Sequence, residues 1–153
     1  MTVWTPPAEV VVKVIGLVWR DNALLLAEVE DSAGRLKGLR PLGGSVEFGE
    51  TREQALHREF AEELGCGITV IGPWHSFENI YQHEGATGHE YIFAAAVRLE
   101  DDALYRQERI AFLENQGARC HAVWRAPADL PSGVDLYPGG LSTLIDAGKL
   151  TLR

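Results

Sequence analysis

One stretch of the chain concentrates the residue types that would act on a charged substrate. Between Gly43 and Gly65 it reads GGSVEFGETREQALHREFAEELG and holds six carboxylates: Glu47, Glu50, Glu53, Glu59, Glu62 and Glu63. On a helix turning about 100° per residue, Glu62 and Glu63 fall about 60° and 40° to either side of Glu59, so three acids share one arc. Leu56, Phe60 and Leu64 centre on the adjacent face and must bury against a sheet. The acids then project together from the edge of that burial. Like charges at i,i+3 and i,i+4 cost roughly a few tenths of a kcal/mol per pair. Acids in the C-terminal half of a helix also oppose its dipole. Arg52 and Arg58 offset part of this. A local conflict of this kind points to function. Divalent cations resolve it, because Mg²⁺ is held by carboxylate oxygens and keeps positions open for water and phosphate. An isolated EFAEE pentapeptide would instead read as a solvated helix face.

The surrounding elements must hold that ridge. Thr51 to Leu64 reads as a helix, capped by Thr51 and ended by Gly65 or Gly67. Ahead of it, Val10–Trp19 and Ala23–Val29 are apolar runs split by Asp21-Asn22, the pattern of a hairpin. Asp31 to Gly38 reads as a loop, and a short strand from Leu39 to Leu42 runs into Gly43-Gly44. Behind the helix come a strand (Ile68–Trp74), a polar-aromatic stretch (Ser76–Gly88) and an apolar strand (Glu90–Leu99). Asp101–Glu108 reads as surface and Ala118–Trp124 as a strand. A second helix begins at Pro138 and stops at Gly148, with Leu141, Leu144 and Ile145 facing the core. Strands and helices alternate without a strict βαβ rhythm, so the expected class is α/β (α+β), a mixed sheet between helices.

Composition narrows the partners. A chain of 153 residues, 46% hydrophobic, without repeats or a long linker, reads as a single domain over 1–153. The net charge of −8, from 14 Lys and Arg against 22 Asp and Glu, argues against a nucleic-acid duplex as partner. It leaves room for small phosphorylated ligands bound through cations, which reverse the local sign of charge. No apolar run approaches the ~20 residues of a membrane span, and Met1–Glu9 lacks the features of a signal peptide. Cys66 and Cys120 match neither a metal-ligand spacing nor a CxxC motif, so both are expected as reduced thiols in the cytoplasm.

The spacing of the acidic segment as a whole resembles the Nudix box. Its seven fixed positions are filled by Gly44, Glu50, Arg58, Glu59, Glu62, Glu63 and Gly65. Cys66 stands where the family carries Ile, Leu or Val, a mild departure because free Cys behaves as a small hydrophobe. Leu42 also interrupts the Pro-Gly-Gly that many members have here. The resemblance implies an α/β/α sandwich and a hydrolase that uses Mg²⁺ or Mn²⁺. Its implied reaction cleaves the diphosphate linkage of a nucleoside diphosphate joined to another group. By position, Glu59, Glu62 and Glu63 would be catalytic metal ligands, with the carbonyl of Gly43 as another and Glu59 as base or water-orienting group. Glu50 and Arg58 would brace the loop against the helix. Gly44 and Gly65 would serve the turn and the helix end.

Family members often add an acid from outside the box. Glu90 is the first expectation for that metal ligand and Glu84 the second, while Glu47 reads as a solvated loop residue. Arg40 is a candidate for a substrate phosphate. Phe77, Tyr81 and Trp74 are candidates to stack on a base. His75, His83 and His89 lack zinc-ligand spacing. The Trp4-Thr5-Pro6-Pro7 opening reads as an extended arm that could pack against a second copy in a homodimer. A non-catalytic nucleotide-binding sensor on the same fold is the alternative, and the complete set of box residues weighs against it. An isoprenoid diphosphate isomerase would match the box more loosely.

Overall fold

The computed structural model describes residues 4–114 and 117–151. The Val/Ile-rich run folds as strand β1 (Val10–Arg20) and turns at Asp21 into β2 (Ala23–Glu30). β3 (Leu36–Ser45) pairs antiparallel with both. Helix α1 (Arg52–Leu64) follows, then β4 (Ile68–Val70), β5 (His75–His83) and β6 (Ala86–Leu99). β6 runs parallel to β1, from Val10 opposite His89 to Val18 opposite Val97. β7 (Arg109–Leu113), β8 (Arg119–Arg125), the short β9 (Asp135–Leu136) and α2 (Leu141–Asp146) complete the chain. The order across the sheet is β4-β6-β1-β3-β2-β8-β7, with β5 on β6 and β9 on β3.

Alternation along the strands sorts the core into two layers. Val14, Val18, Leu42, Val97 and Leu99 pack with Leu56 and Phe60 of α1. Gly16 allows this contact, since a methyl there would overlap the Phe60 ring. Ile15, Leu17, Leu26, Leu39, Ile92 and Ala94 face the other way and meet Leu141 of α2. The result is the mixed α/β sandwich expected from the sequence.

Several elements differ from the sequence expectation. The polar-aromatic Ser76–Gly88 stretch forms a hairpin, turning at Glu84 (φ 50°) and Gly85 (φ 77°). Its strand β5 alternates half-buried and exposed residues, and the exposed face carries Ser76, Glu78 and Gln82 beside a single apolar side chain, Ile80. β3 begins at Leu36, inside the expected loop. β4 stops at Val70, just ahead of Gly72 and Pro73. β7 was hidden in Arg-Ile-Ala-Phe-Leu, where only Ile110 and Phe112 are buried. Asp101–Glu108 includes a 3₁₀ turn (Asp102–Arg106) that buries Leu104. Among the described residues, no helix is long and apolar enough to cross a membrane.

Candidate active site

α1 is fixed at both ends by its own sequence. Thr51 Oγ1 accepts from the Gln54 backbone N–H at 3.1 Å, and Gln54 Oε1 accepts from the Thr51 N–H at 2.9 Å. This capping box satisfies two N–H groups that the helix leaves open. Gly65 closes the other end in the left-handed conformation (φ 68°).

Arg58 ties the helix to the preceding loop. Its Nε donates to Glu50 Oε2 at 2.7 Å and its Nη2 to Glu50 Oε1 at 2.9 Å, a two-pronged ion pair. Nη2 also donates to the Ser45 carbonyl at 2.9 Å. On the helix side, Nη1 donates to Glu59 Oε1 at 2.9 Å and Glu62 Oε2 at 3.4 Å. The Arg58 hydrogen bonds, joined by the Glu47 N–H, pull the Glu50 carboxyl down to about 2.

The three helix acids are not equivalent. Glu59 is 2% exposed and Glu63 9%, whereas the Glu62 side chain is 46% exposed. The sequence placed all three at the rim. In the structure Glu59 and Glu63 share the buried face with Leu56 and Phe60, and Leu64 is only half-buried. Two glycines of β3 make the room. At Gly44 a methyl would overlap the Glu59 carboxylate. At Gly43 (φ 154°) it would run into the Val14 carbonyl of β1. Neither place admits a side chain without moving the acids or the strand.

Glu63 carries an unresolved electrostatic cost. Its Oε1 is buried and has no hydrogen-bond partner among the described residues. Burial raises its carboxyl to about 7. The charges of Glu59 and Glu114 add to this, while Arg40 and the Gly43 N–H oppose it. Arg40 reaches Glu114 Oε2 at 3.5 Å. Cys120 shares this surrounding, and its thiol is pushed up to about 11 by burial and then by the Glu114 charge. Glu114 was missing from the sequence reading. It follows β7 directly, and the unread strand concealed where it would point.

The structure therefore gathers Gly43, Gly44, Glu50, Arg58, Glu59, Glu62, Glu63 and Arg40 where α1 lies against β3 and the loop between them. It does not bring Glu90 there. Glu90 pairs with Val11 of β1 and Asn79 of β5, one residue out of phase with Val14 and Phe93, so it faces the α2 side of the sheet. Phe77 and Tyr81 share that side. Phe77 packs into the second core layer beside Gly140. The Tyr81 ring lies on Gly88. Glu84 sits exposed in the β5–β6 turn. Trp74 is taken by Arg52, whose guanidinium lies 4.8 Å from the ring centre. His83 contacts Lys37 Nζ at 3.2 Å through Nδ1. Among the described residues, no three His, Cys, Asp or Glu side chains form a ready metal cage. Arg58 occupies oxygens of both Glu59 and Glu62.

Comparison with known proteins agrees with this architecture. The NUDIX domain family matches residues 9–138. The nucleoside triphosphatase NudI of Escherichia coli O139:H28 is 40% identical over 118 residues, covering 74% of this chain and 80% of that protein. The NudI of Shigella flexneri matches to the same extent. Among solved structures, a MutT NUDIX hydrolase from Burkholderia pseudomallei superposes with a TM-score of 0.50 at 22% identity, covering 94% of this chain and 99% of that one. A NUDIX hydrolase from Nitrosomonas europaea gives 0.50 at 21% identity over 77% of this chain and 73% of that one. With a domain match across most of its length and relatives of this similarity, the chain belongs to the Nudix hydrolase family.

Proposed function

We propose that the chain is a metal-dependent pyrophosphohydrolase acting on a nucleoside triphosphate or another nucleoside diphosphate derivative. The observation that carries this is the buried Glu63 Oε1, which has no hydrogen-bond partner among the described residues, on the same helix face as the buried Glu59 and beside β3 glycines where a side chain would not fit. A buried carboxylate oxygen with no donor is costly unless something cationic completes it. Carboxylate and carbonyl oxygens are the donors that Mg²⁺ or Mn²⁺ prefers. Glu59, Glu62, Glu63 and the Gly43 carbonyl would hold the ion, with Glu114 in the place first given to Glu90. When bound, such an ion neutralises a diphosphate and lowers the pKa of a water.

The chain's own residues do the rest. Arg58 orients Glu59 through Oε1, and Glu59 receives the proton of the attacking water. Arg40 offers charge-assisted hydrogen bonds to a substrate phosphate. Glu50 keeps Arg58 in place and takes no part in the proton transfer. The free Cys66 and Cys120 suit a single domain working in the reducing cytoplasm. The similarity to NudI puts nucleoside triphosphates first among the substrates to try.

The test is a panel of nucleoside triphosphates, ADP-ribose, nucleotide sugars and dinucleotide polyphosphates, incubated with Mg²⁺ or Mn²⁺ and assayed for phosphate or monophosphate release. Turnover on at least one is expected. In Glu62→Gln it should fall by roughly a hundredfold or more while the circular dichroism spectrum is kept. Equal turnover by that variant would refute the assignment. Binding without release across the panel would make the protein a nucleotide sensor.

A further inference from the structure

On the α2 side of the sheet a cavity of about 250 Å³ lies between the N-terminal arm and strands β1, β5 and β6. Trp4 and Pro7 of the arm line it, as do Tyr81, Lys13, Ser45 and Glu90 from the strands. Ser45 connects it to the candidate active site, because the Ser45 carbonyl accepts from Arg58. The volume lies below the roughly 300 Å³ at which pockets begin to take whole drug-sized ligands. It suits one flat heterocycle. The rings of Trp4 and Tyr81 line the cavity, and the Tyr81 ring packs so closely on Gly88 that a side chain there would displace it. A base stacks well on such a platform whatever its identity.

Identity would be read by Glu90. Its side chain is 15% exposed, with Asn79 Nδ2 at 3.3 Å from Oε1 and Lys13 Nζ at 4.0 Å from Oε2. Lys13 balances its charge, so no cation is required there. An ionised carboxylate only accepts hydrogen bonds and has about four sites, so sites remain free toward the cavity. Adenine and cytosine present one amino group beside a ring-nitrogen acceptor. Uracil and thymine present one N–H between two carbonyls, which a carboxylate repels. Guanine alone sets two donors side by side, N1–H and the 2-amino group, matched to two carboxylate oxygens in a forked pair. Its O6 would then lie toward a cationic or amide donor, the role open to Lys13. Resting on the hydrolase reading for the position of the phosphates, we infer that this cavity binds the nucleobase of the substrate and that Glu90 selects guanine.

Two measurements test this. The first compares kcat/KM for GTP, ITP, ATP, CTP and UTP. ITP differs from GTP only by the missing 2-amino group, so GTP should lead it by roughly tenfold or more, as for one lost hydrogen bond to a charged group. In Glu90→Gln, which keeps the shape and removes one acceptor oxygen, the GTP-to-ITP ratio should fall to within about twofold. The second needs no turnover and no metal. GMP should quench tryptophan fluorescence at lower concentration than IMP, and Trp4→Phe should remove most of that signal. Equal kcat/KM for GTP and ITP in the unaltered protein overturns the proposal, as does an unchanged ratio in Glu90→Gln. Glu62-dependent hydrolysis without base preference sinks this cavity and leaves the hydrolase standing. GMP-selective quenching without hydrolysis of any substrate does the reverse.

Discussion

Replacing Glu63 by Gln should stabilise the metal-free protein, and only at high pH. Glu63 is 9% exposed, and its carboxyl is raised from an ordinary 4.5 to about 7, chiefly by burial. The folded state thus keeps a proton up to about pH 7 that the unfolded chain releases near 4.5. Stability must fall as pH rises through that window, because the unfolded state binds fewer protons there. At about 1.4 kcal/mol per pH unit, the full cost above the window is about 3 kcal/mol. Gln carries no charge and escapes it, though its buried amide also lacks a complete set of partners, which takes back about 1 kcal/mol. The net expectation in a chelating buffer at pH 8.5 is a gain of about 2 kcal/mol, or roughly 4–8 °C in Tm for a chain of this size. At pH 5 both side chains are neutral and the difference should shrink below about 0.5 kcal/mol. Saturating Mg²⁺ or Mn²⁺ should reverse the order, since an ion at about a hundred times its Kd adds about 2.7 kcal/mol to a protein that binds it only when folded. Urea titrations at the two pH values, with chelator and with metal, measure all of this. The same stability difference at pH 5 and pH 8.5, or equal stabilisation of both proteins by metal, would refute the reasoning.

Arg58→Met should destabilise the fold by about 3 kcal/mol in urea unfolding, because it removes the ion pairs to the buried Glu59 and to Glu50 together. Arg58→Lys should recover part of this, since one ammonium cannot make the fork to Glu50; a cost below about 0.5 kcal/mol for the Met variant would contradict the bracing role. Gly44→Ala should cut turnover by roughly a hundredfold or more, because its methyl overlaps the Glu59 carboxylate and a misplacement of about 1 Å is enough for such a loss. Steady-state kinetics beside a melting curve check this, and full activity in that variant would show that Glu59 can move without consequence.

The α1 segment was readable because its signals are local. Thr51, Gln54 and Gly65 act within one helix, and the acids repeat at helical spacing. What local spacing could not supply was depth. Glu59 buries against Gly44 of β3, where no side chain fits, and Gly43 in turn lies tight on β1; which strand residue meets the helix is a long-range fact. Leu42, which looked like an interruption of the box, is a core residue opposite Gly16 on β1. The position of Glu90 failed for a related reason. An acid at the start of an apolar strand can face either layer, and only its pairing with Val11 and Asn79 decides which. The hairpin at Ser76–Gly88 and strand β7 were obscured because half of their residues face water, which makes a strand resemble a loop in composition.

These facts change how the acidic ridge should be understood. On the sequence alone, three like charges on one helix call for a common partner. In the structure, one is already present for two of them, since Arg58 engages both Glu59 and Glu62. The repulsion between Glu59 and Glu62 is therefore answered within the protein. Glu63 has no such answer. Its Oε1 has no hydrogen-bond partner among the described residues, and Arg40, the cation whose charge acts on it, is engaged with Glu114. The electrostatic demand for a cation is thus concentrated at the Glu63 end of the ridge. Glu114, just after β7, meets that end without help from the sheet's opposite face, and this leaves Glu90 free to serve the base rather than the phosphates.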